Sequence, residues 1–357
     1  MNHYERTLQR DLDSIREGVL SVARQVDANL DASLRALFSA DRELAYETIL
    51  LDHPINRAVE AVDADCHRFV VRHLPSAGHL RFVSSVLRMN VELERIGDYA
   101  ETICREVASL EAPIEGDFRR ALEALGSSAL EMYRSAVEAF DEGSEDRARA
   151  TVDLVKTIER HFHVAYEELA TEGETGVGST RDRFSKLVVL SMLERVSDQA
   201  KNLCEEVIWA RQGERKRRRP VQVLFLDKTN AVLAPLAAAA ARKSHPTVGR
   251  YSIAAPDPAQ AIDPEVLAFF GTFGHAADNI RPTPIDWPPE RWSDFDVIVA
   301  LEGKYGDYVD RIPFQSVGLN WEIAGKGASG ATGIDDLYRR ILSRVVQLMD
   351  TARGPES

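Results

Sequence analysis

The sequence predicts a two-domain chain, an all-α domain of six helices arranged as two three-helix bundles, followed by an α/β domain built on a parallel sheet. Three observations carry this reading. A helical motif recurs one hundred residues further along the chain; a proline-poor N-terminal stretch ends at a basic run closed by Pro220; and beyond that proline short β-branched runs alternate with helical ones. The repeat is the strongest of the three. Leu93-Glu94-Arg95-Ile96-Gly97-Asp98 returns as Leu193-Glu194-Arg195-Val196-Ser197-Asp198, and 11 of the 27 positions from 81 to 107 are identical at this one offset. Self-similarity of that length marks two copies of one supersecondary unit.

Taken in chain order, apolar periods of three and four predict helices near 3–37, 41–72 and 77–109 for the first copy, and near 115–140, 145–171 and 181–211 for the second. The glycine-rich stretch 173–178 is predicted as a loop. In the third helix Leu93, Ile96, Ala100, Ile103 and Val107 trace a bundle seam, which Leu193, Val196, Ala200, Leu203 and Val207 repeat. The two bundles are expected to pair about an approximate two-fold axis. Residues 213–220, Gly-Glu-Arg-Lys-Arg-Arg-Arg-Pro, read as a linker. Strands are predicted at Val221–Leu226, Tyr251–Ala254, Asp296–Leu301 and Gln315–Leu319, and helices at 231–243, 262–271 and 334–350, an alternation that implies helices on both faces of the sheet. The domain boundaries are therefore 1–212, 221–350 and a tail at 351–357.

Length and composition set the frame. A chain of 357 residues with 44% hydrophobic and 28% charged residues is an ordinary globular one with room for two or three cores. Its formal charge of −13 argues against general nucleic-acid binding. The opening segment is charged throughout, and the longest apolar run, Ala231–Ala241, is too short to span a bilayer, so a cytoplasmic protein is expected. Three cysteines, Cys66, Cys104 and Cys204, form neither a disulfide framework nor a zinc pattern, and all precede residue 213.

Chemistry enters through the acidic stripe beside the seam. Glu94, Asp98 and Glu101 fall at i, i+4 and i+7, and Glu194, Asp198, Asn202 and Glu205 at i, i+4, i+8 and i+11, so each set shares a helix face. Carboxylates at i and i+4 repel by roughly 0.2–0.5 kcal/mol in exposed helices. A cation between them removes that cost, and oxygen ligands select iron, manganese, magnesium or zinc. The competing reading is a solvated face with Arg95 and Arg195 as local ion-pair partners; a storage or redox di-metal bundle is a further alternative, though no Glu-x-x-His pair of the di-iron type is present.

The run Asn90–Ala100 and its partner Leu193–Glu205 resemble the repeated E-R-I-G-D-x-A motif of the PhoU family, and Asp41–Ala45 through Asp52-His-Pro-Ile-Asn56 resembles that family's second helix. The resemblance covers about residues 1–212. It implies a six-helix, two-bundle cytosolic regulator of phosphate homeostasis that restrains phosphate transport or signalling. It also implies action with components of a phosphate ABC transporter and a phosphate sensor kinase, contact with the membrane only through such partners, and a homodimer. By the same resemblance Glu94, Asp98, Glu194 and Asp198 are metal ligands. Asn202 and Glu205 keep the family's residues, whereas the first copy has Thr102 and Arg105 there, so the second site is expected to hold its metal more tightly.

Val223–Pro235 resembles the strand-loop-helix of low-molecular-weight tyrosine phosphatases and thioredoxin-linked arsenate reductases, whose loop carries Cys-x5-Arg-Ser around an oxyanion. Here Asp227 stands at the cysteine and Leu233 at the arginine, leaving a degenerate anion loop of Asp227, Lys228 and Asn230. The resemblance thus implies a phosphatase-like module without its nucleophile, capped internally by Asp227 or binding a cation or a partner; a rebuilt phosphatase or arsenate reductase is the alternative. His161 and His163, two apart, do not share a helix face, and Trp287, Trp292 and Trp321 read as packing residues.

Overall fold

The computed structural model of the chain describes residues 3–73, 75–175, 179–212, 220–275, 280–310, 312–313, 316–323 and 333–353. It divides into two compact units, Met1–Arg217 and Arg218–Ser357, and the basic linker at 213–219 lies outside the described residues.

The first unit is helical throughout: α1 (His3–Ser39), α2 (Arg42–Leu50), α3 (Asp52–Arg72) and α4 (Ala77–Ser109) form the first repeat, and α5 (Gly116–Glu142), α6 (Glu145–Asp153), α7 (Val155–Thr175) and α8 (Thr180–Gln212) the second. The second and fifth expected helices are thus each broken in two, at Leu51 and at Leu154. In the first repeat the cause is Pro54 at the third position of α3, which has no N–H to give the Leu50 carbonyl and whose ring crowds it. In the second no proline is present. There the turn tightens, with the Leu154 and Thr157 N–H groups donating three residues back to Thr151 and Leu154. Thr48 and Thr151 prepare the two breaks in the same way, each hydroxyl donating to the carbonyl four residues earlier, Leu44 and Arg147. The repeat restarts on matched caps, Asp41 for α2 and Ser144 for α6, each accepting the backbone N–H three residues on. Residues 173–175 of the expected loop belong to α7, which runs to Thr175; residues 176–178 lie outside the described ones.

All ten seam residues are buried. They belong to one continuous core running from Leu12 of α1 to Val207 of α8, so the two bundles share a core rather than meeting as finished surfaces. α4 and α8 lie antiparallel. The Ser85 hydroxyl donates to the Glu206 carbonyl, Arg88 is bidentate on the Glu206 carboxylate at 2.6 Å and covers Trp209, and Gln199 Nε2 donates to the Tyr99 hydroxyl at 3.3 Å. Tyr133 of α5, fully buried, donates to the Ala23 carbonyl of α1 at 2.7 Å.

The second unit holds a four-stranded, wholly parallel sheet in the order β2-β1-β3-β4, with β1 at Val221–Leu226, β2 at Gly249–Ala254, β3 at Val297–Ala300 and β4 at Val317–Asn320. All four fall within three residues of the predicted ranges. The helices α9 (Leu233–Ser244), α10 (Pro264–Phe273) and α11 (Ile334–Arg353) likewise follow prediction, except that α11 takes in 351–353 of the expected tail. Every residue of α9 from Leu233 to Ala241 is buried, because its alanines let it lie between the sheet and α11; this is the longest apolar run of the sequence. The expectation of helices on both faces needs correction. Among the described residues the three α-helices join one core with Phe225, Val299 and Trp321. The opposite core, around Leu224, Leu226 and Ile298, is closed by Trp292, Phe295 and Val309 from 3-10 turns and loops. Large aromatic side chains cover there what a helix would otherwise have to cover.

Candidate functional site

The acidic motif of α4 projects toward the start of α3. Asp98 is exposed and Glu94 half-buried, and partial burial, then Asp52, Glu94 and Glu101, push the Asp98 carboxyl above its ordinary range. Asp52 is the residue that sequence reading missed. It is the first residue of α3, 7% exposed; its Oδ2 accepts from Asn56 Nδ2 at 2.8 Å, while its Oδ1, buried, has no hydrogen-bond partner. Burial and the charge of Glu101 push its carboxyl up as well. Asp52 Oδ1 lies against Gly97, 3.5 Å from where a side chain at that position would begin, an ordinary contact distance. The signal in the sequence was an Asp two residues before Pro54, which starts a new helix and aims its first residue inward.

The second copy is similar but not equal. Burial and Asp198 raise the Glu194 carboxyl, Arg195 lowers it, and Glu159 of α7 raises it. No carboxylate stands where Asp52 does, because α7 starts at Val155. Asn202 Nδ2 is engaged with Gln199 Oε1 at 3.1 Å, and Glu205 is half-buried on the same helix. In the first copy Arg105 is held by Glu101 at 2.6 Å, and the Thr102 hydroxyl donates to the Asp98 carbonyl. Arg105 is thus partly neutralised, and the first copy has in Asp52 a carboxylate beside its motif. Arg95 pairs with Glu92 at 3.3 Å rather than with the motif.

The donor set fits a hard cation: oxygen ligands, mutual repulsion, and a buried carboxylate oxygen with nothing bound to it. Among the described residues no three carboxylate, His or Cys side chains converge closely enough to share one ion, so the carboxylates of each face would have to turn toward one another to hold it. His161 is half-buried and hydrogen-bonded to Ser128 at 3.0 Å. Burial pushes the Cys66, Cys104 and Cys204 thiols up to about 12, which leaves them inert packing groups.

In the second unit the loop after β1 sits at the C-terminal ends of β1 and β3, where the strand order reverses and open α/β sheets bind ligands. Asp227 is 3% exposed and fills that loop from within. Its Oδ1 accepts the Asn230 backbone N–H at 2.6 Å and Asn230 Nδ2 at 2.8 Å, and its Oδ2 accepts the N–H of Ala234, in the first turn of α9, at 2.9 Å. Glu302 accepts the Lys228 N–H at 2.9 Å. Three backbone donors that could face an oxyanion therefore face carboxylates instead. Asn230 holds the loop in a left-handed turn, φ 53°, and ties it to the Ala254 carbonyl. Leu233, at the position where an arginine was sought, is packed into the core, and the Lys228 side chain is exposed. Trp292 and Trp321 are buried and Trp287 stacks on Phe295, as packing residues.

A duplicated helical unit with a paired-carboxylate motif in each half defines a tandem-repeat regulator domain of the PhoU type, and comparison with known proteins agrees. Residues 19–107 and 122–207 match the PhoU domain. A phosphate-specific transport system accessory protein PhoU homolog of Pseudomonas putida is 30% identical over 215 residues, which span 59% of this chain and 83% of that protein. The crystal structure of PhoU from Pseudomonas aeruginosa superimposes with a TM-score of 0.56 at 28% identity over 58% of this chain and 99% of that one. The chain belongs to the PhoU family. A thioredoxin-dependent arsenate reductase of Corynebacterium glutamicum is also similar, at 20% identity and a TM-score of 0.33 over 55% of this chain and 97% of that one. The phosphatase-like reading of the second unit rests on its own strand order and loop. No described helix is long and apolar enough to cross a membrane.

Proposed function

We propose that the protein is a cytoplasmic regulator of phosphate homeostasis that restrains phosphate transport or signalling and binds a divalent or trivalent metal ion through its helical repeats. The observation that carries the metal reading is the buried, unpartnered Asp52 Oδ1 facing the Asp98 motif, with like charge gathered around both carboxyls. Glu94 and Asp98, with Asp52, would hold the ion in the first repeat; Glu194 and Asp198, with Asn202 and Glu205, in the second. Bound there, a cation supplies positive charge that lets α3 and α4, or α7 and α8, keep facing carboxylates together, and so couples metal occupancy to the shape of each bundle. The identity of the metal, iron, zinc, manganese or magnesium, is set by the oxygen donors only as far as excluding soft-metal sites.

Its partners would be components of a phosphate ABC transporter and a phosphate sensor kinase, reached by a homodimer at the membrane face. Support comes from family membership, in which relatives are phosphate-specific transport system accessory proteins. In the second unit we propose a module without covalent catalysis. Asp227 cannot serve as a thiolate, its three acceptor contacts occupy the loop, and no cysteine lies beyond residue 204. Elemental analysis of the purified chain, together with a pull-down on membranes carrying the transporter, tests the two halves. Metal-free protein after purification in metal-replete medium refutes the first, and failure to retain any transporter subunit refutes the second.

A further inference from the structure

We infer that the outer face of α2 is a docking surface for a basic amphipathic helix of a partner protein, present in the first repeat alone and independent of the cation sites. α2 packs inward through Ala45 and Thr48, both buried, and through Leu44 and Ile49. The opposite stripe, Glu43, Tyr46, Glu47 and Leu50 at i, i+3, i+4 and i+7, is exposed. Tyr46 is 57% exposed and Leu50 66%, and Leu51, at the break into α3, is 50% exposed. Single exposed apolar side chains are common on any protein, whereas three within two turns of one helix form a patch that a partner can cover. The same positions of α6, counted back from Leu154, are Asp146, Arg149, Ala150 and Asp153. There Arg149 is ion-paired with Glu145 at 2.7 Å, and Leu154 is half-buried. Of the two helices, only α2 presents the apolar face.

Charge around the patch selects the occupant. Among the described residues neither the Glu43 nor the Glu47 carboxylate has a partner, and at i, i+4 the two repel each other. The neighbouring cation, Arg42, is turned to the Leu110 carbonyl. A lysine or arginine brought between the two carboxylates removes their repulsion, while apolar residues of the same helix cover Tyr46, Leu50 and Leu51. An anionic lipid surface or a nucleic acid would meet these carboxylates with like charge and is disfavoured. So is a second copy of this chain, because a two-fold contact sets the same patch on both sides and would bring four unpaired carboxylates into one small interface. What fits is a helix with apolar residues three and four apart and Lys or Arg between them.

The test is fluorescence anisotropy of a labelled, capped peptide of about 15 leucine and lysine residues, a length at which an isolated helix is marginal. Its leucines stand three and four apart, and it is titrated with the full chain at 0.15 M salt with EDTA present, so that the outcome does not turn on the metal. One peptide bound per chain is expected, more weakly as salt rises. Tyr46→Ser/Leu50→Ser should weaken binding at least tenfold without moving the thermal midpoint, since both side chains are exposed, and Leu50→Met should leave it nearly intact. Glu43→Gln/Glu47→Gln should weaken it severalfold and remove most of its salt dependence. The inference is overturned by absence of saturable binding at 1 mM, by binding that survives Tyr46→Ser/Leu50→Ser, by a salt dependence that Glu43→Gln/Glu47→Gln leaves unchanged, or by equal binding of a peptide of the same composition with its spacing scrambled. Dimerisation of the chain that Tyr46→Ser/Leu50→Ser abolishes would overturn it too, by giving the face to a second copy.

Discussion

Asp227→Ala tests whether the loop after β1 is sealed by its own carboxylate. The substitution removes an acceptor that serves two backbone N–H groups and one amide, at 2.6, 2.8 and 2.9 Å, in a site 3% exposed. Each buried donor left without a partner costs about 1–3 kcal/mol, and because the loop can relax and admit water we take the lower end for each. The sum is about 3 kcal/mol. For a domain of this size roughly 3–5 °C of midpoint is lost per kcal/mol, so the second unit should melt roughly 10 °C lower. Three of the four tryptophans, Trp287, Trp292 and Trp321, lie in that unit, so tryptophan fluorescence in a thermal scan follows it selectively. The emptied loop then presents the Asn230 and Ala234 N–H groups at a helix N-terminus, a place where an anion binds. Millimolar orthophosphate should therefore recover several degrees in the variant and much less in the wild type. A midpoint lowered by under 2 °C, or an equal phosphate response in both proteins, would refute the internal cap. Turnover of an aryl phosphate by the wild type, abolished by Asp227→Asn, would show instead that the aspartate is a working nucleophile.

Other expectations follow from the helical unit. Glu194→Gln/Asp198→Asn should lose the metal of the second repeat as read by elemental analysis, and unchanged stoichiometry sinks that assignment. Asp52→Asn should weaken cation binding in the first repeat by tenfold or more while raising the stability of the metal-free protein, since it removes a buried charge from beside Asp98 and Glu101; a variant that binds as the wild type does places the ion elsewhere. Asp11 is held below the ordinary carboxylate range chiefly by His73, 2.8 Å away, with help from Arg10 and Arg72. A depressed carboxyl contributes stability that is present above the unfolded value near ~3.9 and lost as pH falls through the folded one. The stability gap between wild type and Asp11→Asn should therefore be constant above about pH 5, given that reference value, and close at lower pH. A gap that persists at pH 2 would show that the contact is held by packing alone.

Periodicity alone was enough to place the buried stripe of α4 and α8, though not the breaks at Leu51 and Leu154. Leu93, Ile96, Ala100, Ile103 and Val107, with their counterparts, are buried as the spacing required, because a helix face is fixed by residues three and four apart. The strands of the second unit were legible for a related reason, as short β-branched runs between breakers. The aspartate in place of a cysteine was likewise visible in the sequence, because covalent chemistry depends on atom type.

What tertiary structure decided was everything that depends on distant partners. The break at Leu154 has no proline to announce it and arises from a tightened turn that lets the second repeat match the first. Asp52 became a site residue only when α3 was laid against Gly97, some forty-five positions away in sequence. By sequence Asp227 is an internal cap, a cation ligand or a partner contact; the cap prevails because the loop folds so that its own N–H groups meet the carboxylate. Local order follows from near neighbours along the chain, whereas charge clusters and caps follow from which surfaces the buried apolar faces draw together.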